Sequence, residues 1–157
     1  MKTNKITRPG SKKSTVKTKK LKGSYYKIIS KSKRTVQYVK PVKKNIISVT
    51  IPSSIKLNGK RYKVTGIAAN AFKNCKKLKK VTIGINVNSI GKRAFYGCSK
   101  LQTIKVKTSK LTGSRVGKQA FKGLNKKAVI KVPKKQLKAY KRLFRVKGVG
   151  KKVTIKK

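Results

Sequence analysis

The sequence predicts an α+β solenoid: a short array of stacked repeats with one wall of parallel β-sheet. A β-hairpin covers its N-terminal end, and a helix followed by a strand covers its C-terminal end. Three observations predict this. The segment Ile67–Ile83 returns as Ile90–Val106 and again, in weaker form, as Val116–Val132, with Phe72, Phe95 and Phe121 at equivalent places. Self-similarity at a period of some 20–50 residues marks a repeat array. Each copy ends in an alternating aliphatic run, Val81-Thr82-Ile83, Ile104-Lys105-Val106 or Ile130-Lys131-Val132, the pattern of a half-buried strand. The two ends of the chain break the period, as terminal units of an array must.

In chain order, residues 1–22 are Lys, Thr, Ser and Gly with few apolar side chains, and are expected to be a basic, flexible segment. Weak strand alternation begins near Thr15, with Val16 and Leu21. The segment has no apolar stretch of signal-peptide length, and no run in the chain is long and apolar enough to span a membrane. Residues 23–157 read as one domain. Within it, residues 23–63 hold the N-terminal hairpin and a partial repeat, 64–133 the full repeats, and 134–157 the C-terminal cover. The hairpin pairs Tyr25–Ile29 with Thr35–Val39 and stops at Pro41. Ser48-Val49-Thr50-Ile51-Pro52 aligns with the later aliphatic runs as an incomplete first repeat. Asn58-Gly59 between two β-rich runs is a two-residue hairpin signal.

In the full copies the Ala-Phe segment is read as about one helical turn, its Phe filling the interior. The expected repeat core is Ile67, Phe72, Cys75, Leu78 and Ile83, then Ile90, Phe95, Cys98, Leu101, Ile104 and Val106, then Phe121, Leu124, Ile130 and Val132. Cys75 and Cys98 fall at one site in adjacent copies, about 4.8 Å apart at sheet spacing. That distance suits a disulfide, but parallel side chains give a poor dihedral, so buried thiols are expected. Pro133 opens a helix over Lys134–Val146, with Leu137, Tyr140 and Phe144 on one stripe. The stripe suits either packing on the last repeat or a basic membrane-surface helix, and the first is favoured. Gly148 and Gly150 end it, and Lys152–Lys156 supplies a last strand.

The motif Ile-Gly-x-x-Ala-Phe-x-x-Cys-x-x-Leu-x-x-Ile-x-Ile-Pro, closest over Ile90–Val106, resembles the BspA-type leucine-rich repeat of bacterial surface and secreted proteins. The resemblance runs from about Ile46 to Pro133. Gly84 stands where Pro is expected, Leu124 where Cys is expected, and an insertion precedes Val116. It implies a leucine-rich-repeat fold, a noncatalytic binding or adhesion role, and an extracellular or cell-surface location, with a cytoplasmic one as the alternative. The family usually carries acidic residues in its turns, and their loss here departs from it.

That loss is the extreme feature of the composition. Among 157 residues there are 48 Lys plus Arg, no Asp or Glu and no His, a formal charge of +48. Only seven of the cations are Arg. No side-chain carboxylate exists to form a salt bridge, so every Lys needs a solvated place, and self-repulsion opposes folding at low ionic strength. General acid–base catalysis usually rests on His, Asp or Glu, and metal sites on clusters of His, Cys or carboxylate, so no enzyme, metal or cofactor is expected.

The outward strand positions form a Lys/Thr wall, with Lys80, Lys105, Lys107, Lys131, Lys152 and Lys156 as candidate polyanion-binding residues. Rows of ammonium groups suit a repetitive polyanion: a cell-wall polymer, an acidic glycan, or nucleic acid at low salt. A solvated face is the plain alternative. Acidic protein surfaces are further possible partners, and the chain is expected to be a monomer. Two other functions compete. In a nucleic-acid binder, Tyr25, Tyr26, Tyr38, Tyr62 and Tyr96 would serve as stacking platforms. In an engineered, supercharged leucine-rich-repeat scaffold, charge itself would be the purpose.

Overall fold

The computed structural model describes residues 17–157. The basic stretch over residues 1–16, including Val16, lies outside the described residues.

Among the described residues, eleven strands form two sheets, accompanied by one α-helix. The first sheet opens with β1 (Thr18–Leu21), β2 (Ser24–Ser30) and β3 (Thr35–Pro41), joined antiparallel in sequence. β1 falls inside the 1–22 segment expected to be flexible. Its four residues pair with β2 from Thr18↔Lys27 to Leu21↔Ser24, which orders them. β5 (Ser54–Leu57) and β6 (Lys60–Ile67) form the hairpin read from Asn58-Gly59. Both turn residues are left-handed, at φ 49° and 74°, as a two-residue turn matched to strand twist requires. β6 then runs parallel to β3 and to the short β8 (Ser89–Ile90).

The second sheet is parallel throughout, in the order β11-β10-β9-β7-β4. Its members are β4 (Ser48–Ile51), β7 (Lys80–Ile83), β9 (Thr103–Val106), β10 (Val129–Lys131) and β11 (Thr154–Lys156). Register is strict: Val49, Val81, Ile104, Ile130 and Ile155 stand in one inward column. A one-residue slip would turn every aliphatic outward, so burial fixes the register.

Between the sheets the Ala-Phe segments stack. No helix forms over them. Instead, successive tight turns run Ala71 N–H to Ala68 O, Lys73 N–H to Asn70 O and Cys75 N–H to Phe72 O. Left-handed residues flank each Phe: Asn70 and Asn74, Arg93 and Gly97, Gln119 and Gly123. A helical turn cannot contain two such residues. The turns free alternate backbone groups to bond the next copy, as Phe72 N–H does to Ala94 O (2.7 Å) and Phe95 N–H to Ala120 O (2.8 Å).

The rings follow that ladder. Phe72 lies 5.1 Å from Phe95 at 5° between planes, and Phe95 lies 5.4 Å from Phe121 at 9°. Tyr38 extends the stack at one end (5.2 Å from Phe72) and Phe144 meets Phe121 edge-on at the other (5.0 Å). Gly91 and Gly117 keep the copies close, since a Cβ on either would sit 2.3 Å from the backbone nitrogen of Ala69 or Lys92.

The expected core residues are buried except Leu124, which is half-buried and packs against the edge of the core. The C-terminal helix α1 spans Leu137–Val146, preceded by a 3-10 turn over Lys134–Gln136, and buries Tyr140 and Phe144. The Tyr140 hydroxyl donates to Thr108 O (2.9 Å) and accepts from Leu111 N–H (3.2 Å), pinning the helix to the insertion before Val116. Arg145 donates to Val153 O (2.8 Å) and to Gly150 O, neutral carbonyls standing where a carboxylate is absent.

Candidate functional site

Alternation sends every second residue of the parallel sheet to solvent. Register then sorts the outward residues into rows that cross the strands. One row reads Thr50, Thr82, Lys105, Lys131, Lys156, and the other Ser48, Lys80, Thr103, Val129, Thr154. Parallel strands lie about 4.8 Å apart, so Lys105, Lys131 and Lys156 are direct neighbours at that step. All three are exposed. Their like charges have no side-chain carboxylate to balance them anywhere in the chain.

The remaining candidates sit apart from that triplet. Lys80 is exposed in the second row, between Ser48 and Thr103. Lys107 lies just beyond β9, its N–H donating to Ile83 O (3.0 Å), and Lys152 precedes β11 in a turn. The structure thus gathers three of the six candidate lysines into one row and places three around it.

Of the five tyrosines read as stacking platforms, three are unavailable. Tyr26, Tyr38 and Tyr62 are buried, and Tyr38 belongs to the core aromatic stack. Their strand alternation turns them inward, which the Lys-rich surroundings disguise. Tyr25 and Tyr96 are half-buried and already carry cations, Lys40 over one ring (5.8 Å) and Arg93 over the other (5.5 Å). Cys75 and Cys98 are buried free thiols. The Cys98 thiol donates to Phe72 O at 3.0 Å, and burial pushes its pKa up to about 12. Burial likewise raises Cys75, so neither is a thiolate nucleophile at neutral pH.

At the β4 end of the parallel sheet, a cleft of about 740 Å³ opens between β4 and the first sheet. Leu21, Ile46 and Val49 give it apolar sides, Ser24 and Tyr38 line it with hydroxyls, and Lys22, Lys56 and Arg61 stand on it as cations. Ser24 Oγ donates to the Tyr38 hydroxyl at 3.0 Å. A count of repeat columns, ending at Val49 with no earlier copy, is the signal that could have found it.

Among the described residues no helix is long and apolar enough to cross a membrane. Comparison with known proteins agrees with the geometry of the repeats. Residues 42–157 match the BspA type leucine rich repeat region, in six copies. A leucine-rich cell surface protein from Faecalibacterium prausnitzii A2-165 superposes with a TM-score of 0.57 at 20% identity, over 75% of this chain and 37% of that one. A leucine-rich repeat protein from Bacteroides ovatus gives 0.51 at 23% identity, over 73% and 37%. The chain thus matches little more than a third of the length of either. No curated protein sequence matches it. With the repeat profile covering most of the chain, it belongs to the BspA-type leucine-rich-repeat family.

Proposed function

We propose that this chain is a noncatalytic, cationic binding or adhesion module that holds polyanions against the outer face of its parallel sheet. It acts as a monomeric solenoid, with the hairpin region and the C-terminal helix and strand as its end covers. The observation that carries this is the in-register row of Lys105, Lys131 and Lys156. Three ammonium groups on a rigid sheet, at a fixed step along the stacking axis, match a linear polymer of negative charge such as a cell-wall polymer or an acidic glycan. Lys supplies point charges and no bidentate fork, so recognition follows charge spacing and not base identity. The likeness to a bacterial cell surface protein supports an extracellular or surface location. Burial of Tyr26, Tyr38 and Tyr62 counts against a dedicated single-strand nucleic-acid binder, which needs exposed rings.

The test is affinity for heparin, polyphosphate and duplex DNA as salt is raised, for the native chain and two triple variants. One carries Lys105→Gln, Lys131→Gln and Lys156→Gln. The other carries Lys126→Gln, Lys127→Gln and Lys135→Gln, exposed lysines off the row. Each phosphate contact contributes about 0.9 to the slope of log K against log salt on B-DNA, so the row variant should lower it by roughly 2–3. Equal effects from both variants would leave only diffuse charge and sink the row as a site.

A further inference from the structure

Among the described residues the parallel sheet ends at β4, which pairs there with β7 alone, and the inward columns become visible at that end. Val49 heads the column of Val81, Ile104, Ile130 and Ile155, all buried, yet is itself half-buried. Ile46 heads the column of Leu78 and Leu101, both fully buried, and is also half-buried. Ile47 beside it is 61% exposed. The core is therefore open at this end, and the opening is the cleft lined by Leu21, Ile46 and Val49.

The backbone of β4 is open as well. Ile47 O accepts from Lys79 N–H and Lys80 N–H, so Ile47, and by alternation Val49 and Ile51, direct their backbone groups toward β7. Ser48 and Thr50 then direct theirs to the free side. An unpaired edge beside an apolar trough is the arrangement that accepts an added strand. Lys22, Lys56 and Arg61 on the cleft select for acidic residues in that strand, because this chain has no side-chain carboxylate to meet them.

We propose that the free edge of β4 binds an extended acidic peptide segment of a partner protein as an added β-strand. Alternate apolar side chains of the segment continue the columns of Ile46 and Val49, and its acidic side chains face Lys22, Lys56 and Arg61. A second copy of this chain fits less well, since it would bring another +48 to the same end. The site is separate from the lysine row on the outer face and does not depend on it.

The test uses the full chain and two fluorescein-labelled seven-residue peptides of equal charge. One alternates Val and Glu, the other Pro and Glu, which cannot donate along a ladder. At 0.15 M salt the Val/Glu peptide should bind at least tenfold more tightly. Thr50→Pro should remove that excess while leaving heparin affinity and thermal melting as they are, because proline is tolerated where an edge N–H faces away from the sheet. Should Thr50→Pro misfold, amide hydrogen exchange on the native chain decides the same point. Val/Glu peptide should slow exchange at Ser48 and Thr50, and Pro/Glu peptide should not. Equal affinity of the two peptides, or unchanged exchange at Ser48 and Thr50, overturns the proposal. Self-association of the native chain that Thr50→Pro abolishes would also overturn it, by making a second copy the occupant. So would a gain in Val/Glu affinity on deleting residues 1–16, which would give the edge to the chain's own N-terminal segment.

Discussion

Phe95 is the most informative single position, because it is fully buried with a parallel ring on each side at 5.1 and 5.4 Å. Phe95→Ala removes the ring and opens a cavity, a change worth about 3–5 kcal/mol in a close-packed core. The gap cannot close by sliding the copies together, since Phe72 N–H to Ala94 O and Phe95 N–H to Ala120 O already fix their spacing. The upper part of that range, about 4–5 kcal/mol, is therefore expected. Such a loss approaches the whole stability of a small domain, roughly 5–15 kcal/mol, so Phe95→Leu is the workable companion. It keeps most of the volume and loses two aromatic pairs at about 0.5–1.5 kcal/mol each, giving a loss of roughly 1–3 kcal/mol. Urea unfolding followed by circular dichroism reads these values, with an unchanged m as the sign that the denatured state is the same. A cycle of Phe72→Leu with Phe95→Leu should show coupling of about 0.5–1.5 kcal/mol. Phe72→Leu with Phe121→Leu, two steps apart, should be additive within about 0.5 kcal/mol. Equal coupling in both cycles, or a Phe95→Leu cost under about 0.5 kcal/mol, would refute a stack held by adjacent rings.

Four further outcomes follow from the structure. Gly117→Ala forces a Cβ to 2.3 Å from Lys92 N and should cost at least the roughly 1–3 kcal/mol of overpacking, whereas Gly113→Ala, with open space around it, should be neutral or slightly stabilising in the same melt. Tyr140→Phe leaves Leu111 N–H without its acceptor and should lower stability by about 1–3 kcal/mol, detectable by urea titration. The folded state holds Cys98 as the neutral thiol up to about pH 12 while the unfolded chain ionises near 9, so the unfolded state binds fewer protons between those values. Stability should therefore fall as pH rises through that window, and Cys98→Ala should make the fall shallower by up to about 1.4 kcal/mol per pH unit. Because the chain carries +48 with no side-chain carboxylate, its melting temperature should climb as sodium chloride is raised from 0.01 to about 0.15 M, where the screening length shrinks from about 30 to 8 Å; a flat or falling trend would show that repulsion is not the opposing term.

Much of this was legible in the residues, and the gaps have physical causes. Phe72, Phe95 and Phe121 announce one column because burial demands the same side chain at the same step, and the rings do stack. Tyr38 reads as a possible surface stacking ring and not as part of this column, because the Asn58-Gly59 hairpin separates it from Phe72 by more than one period and only the pairing of β3 with β6 brings it into line. The Ala-Phe segments read as a helical turn in the sequence because Arg93 and Gln119 are poor residues for left-handed backbone. Bonding to the next copy outweighs that preference, and Arg93 Nε donates to Gln119 Oε1 at 2.9 Å across the same turns. For the candidate site, the middle residues Lys105 and Lys131 follow from aligning the aliphatic runs, whereas Lys107 and Lys152 depend on where strands stop, which hydrogen bonding between copies decides. The cleft at β4 was hidden because an unfilled column is a missing neighbour, not a residue.

The most direct test of the stacked arrangement is a nuclear Overhauser spectrum of the chain with labelled phenylalanine rings. Cross-peaks between Phe72 and Phe95 and between Phe95 and Phe121, with none between Phe72 and Phe121, are the result expected from ring separations of 5.1 and 5.4 Å along one axis. Contact between the outer two rings, or no contact between neighbours, would contradict the stack and remove the basis for the lysine row that rides on it.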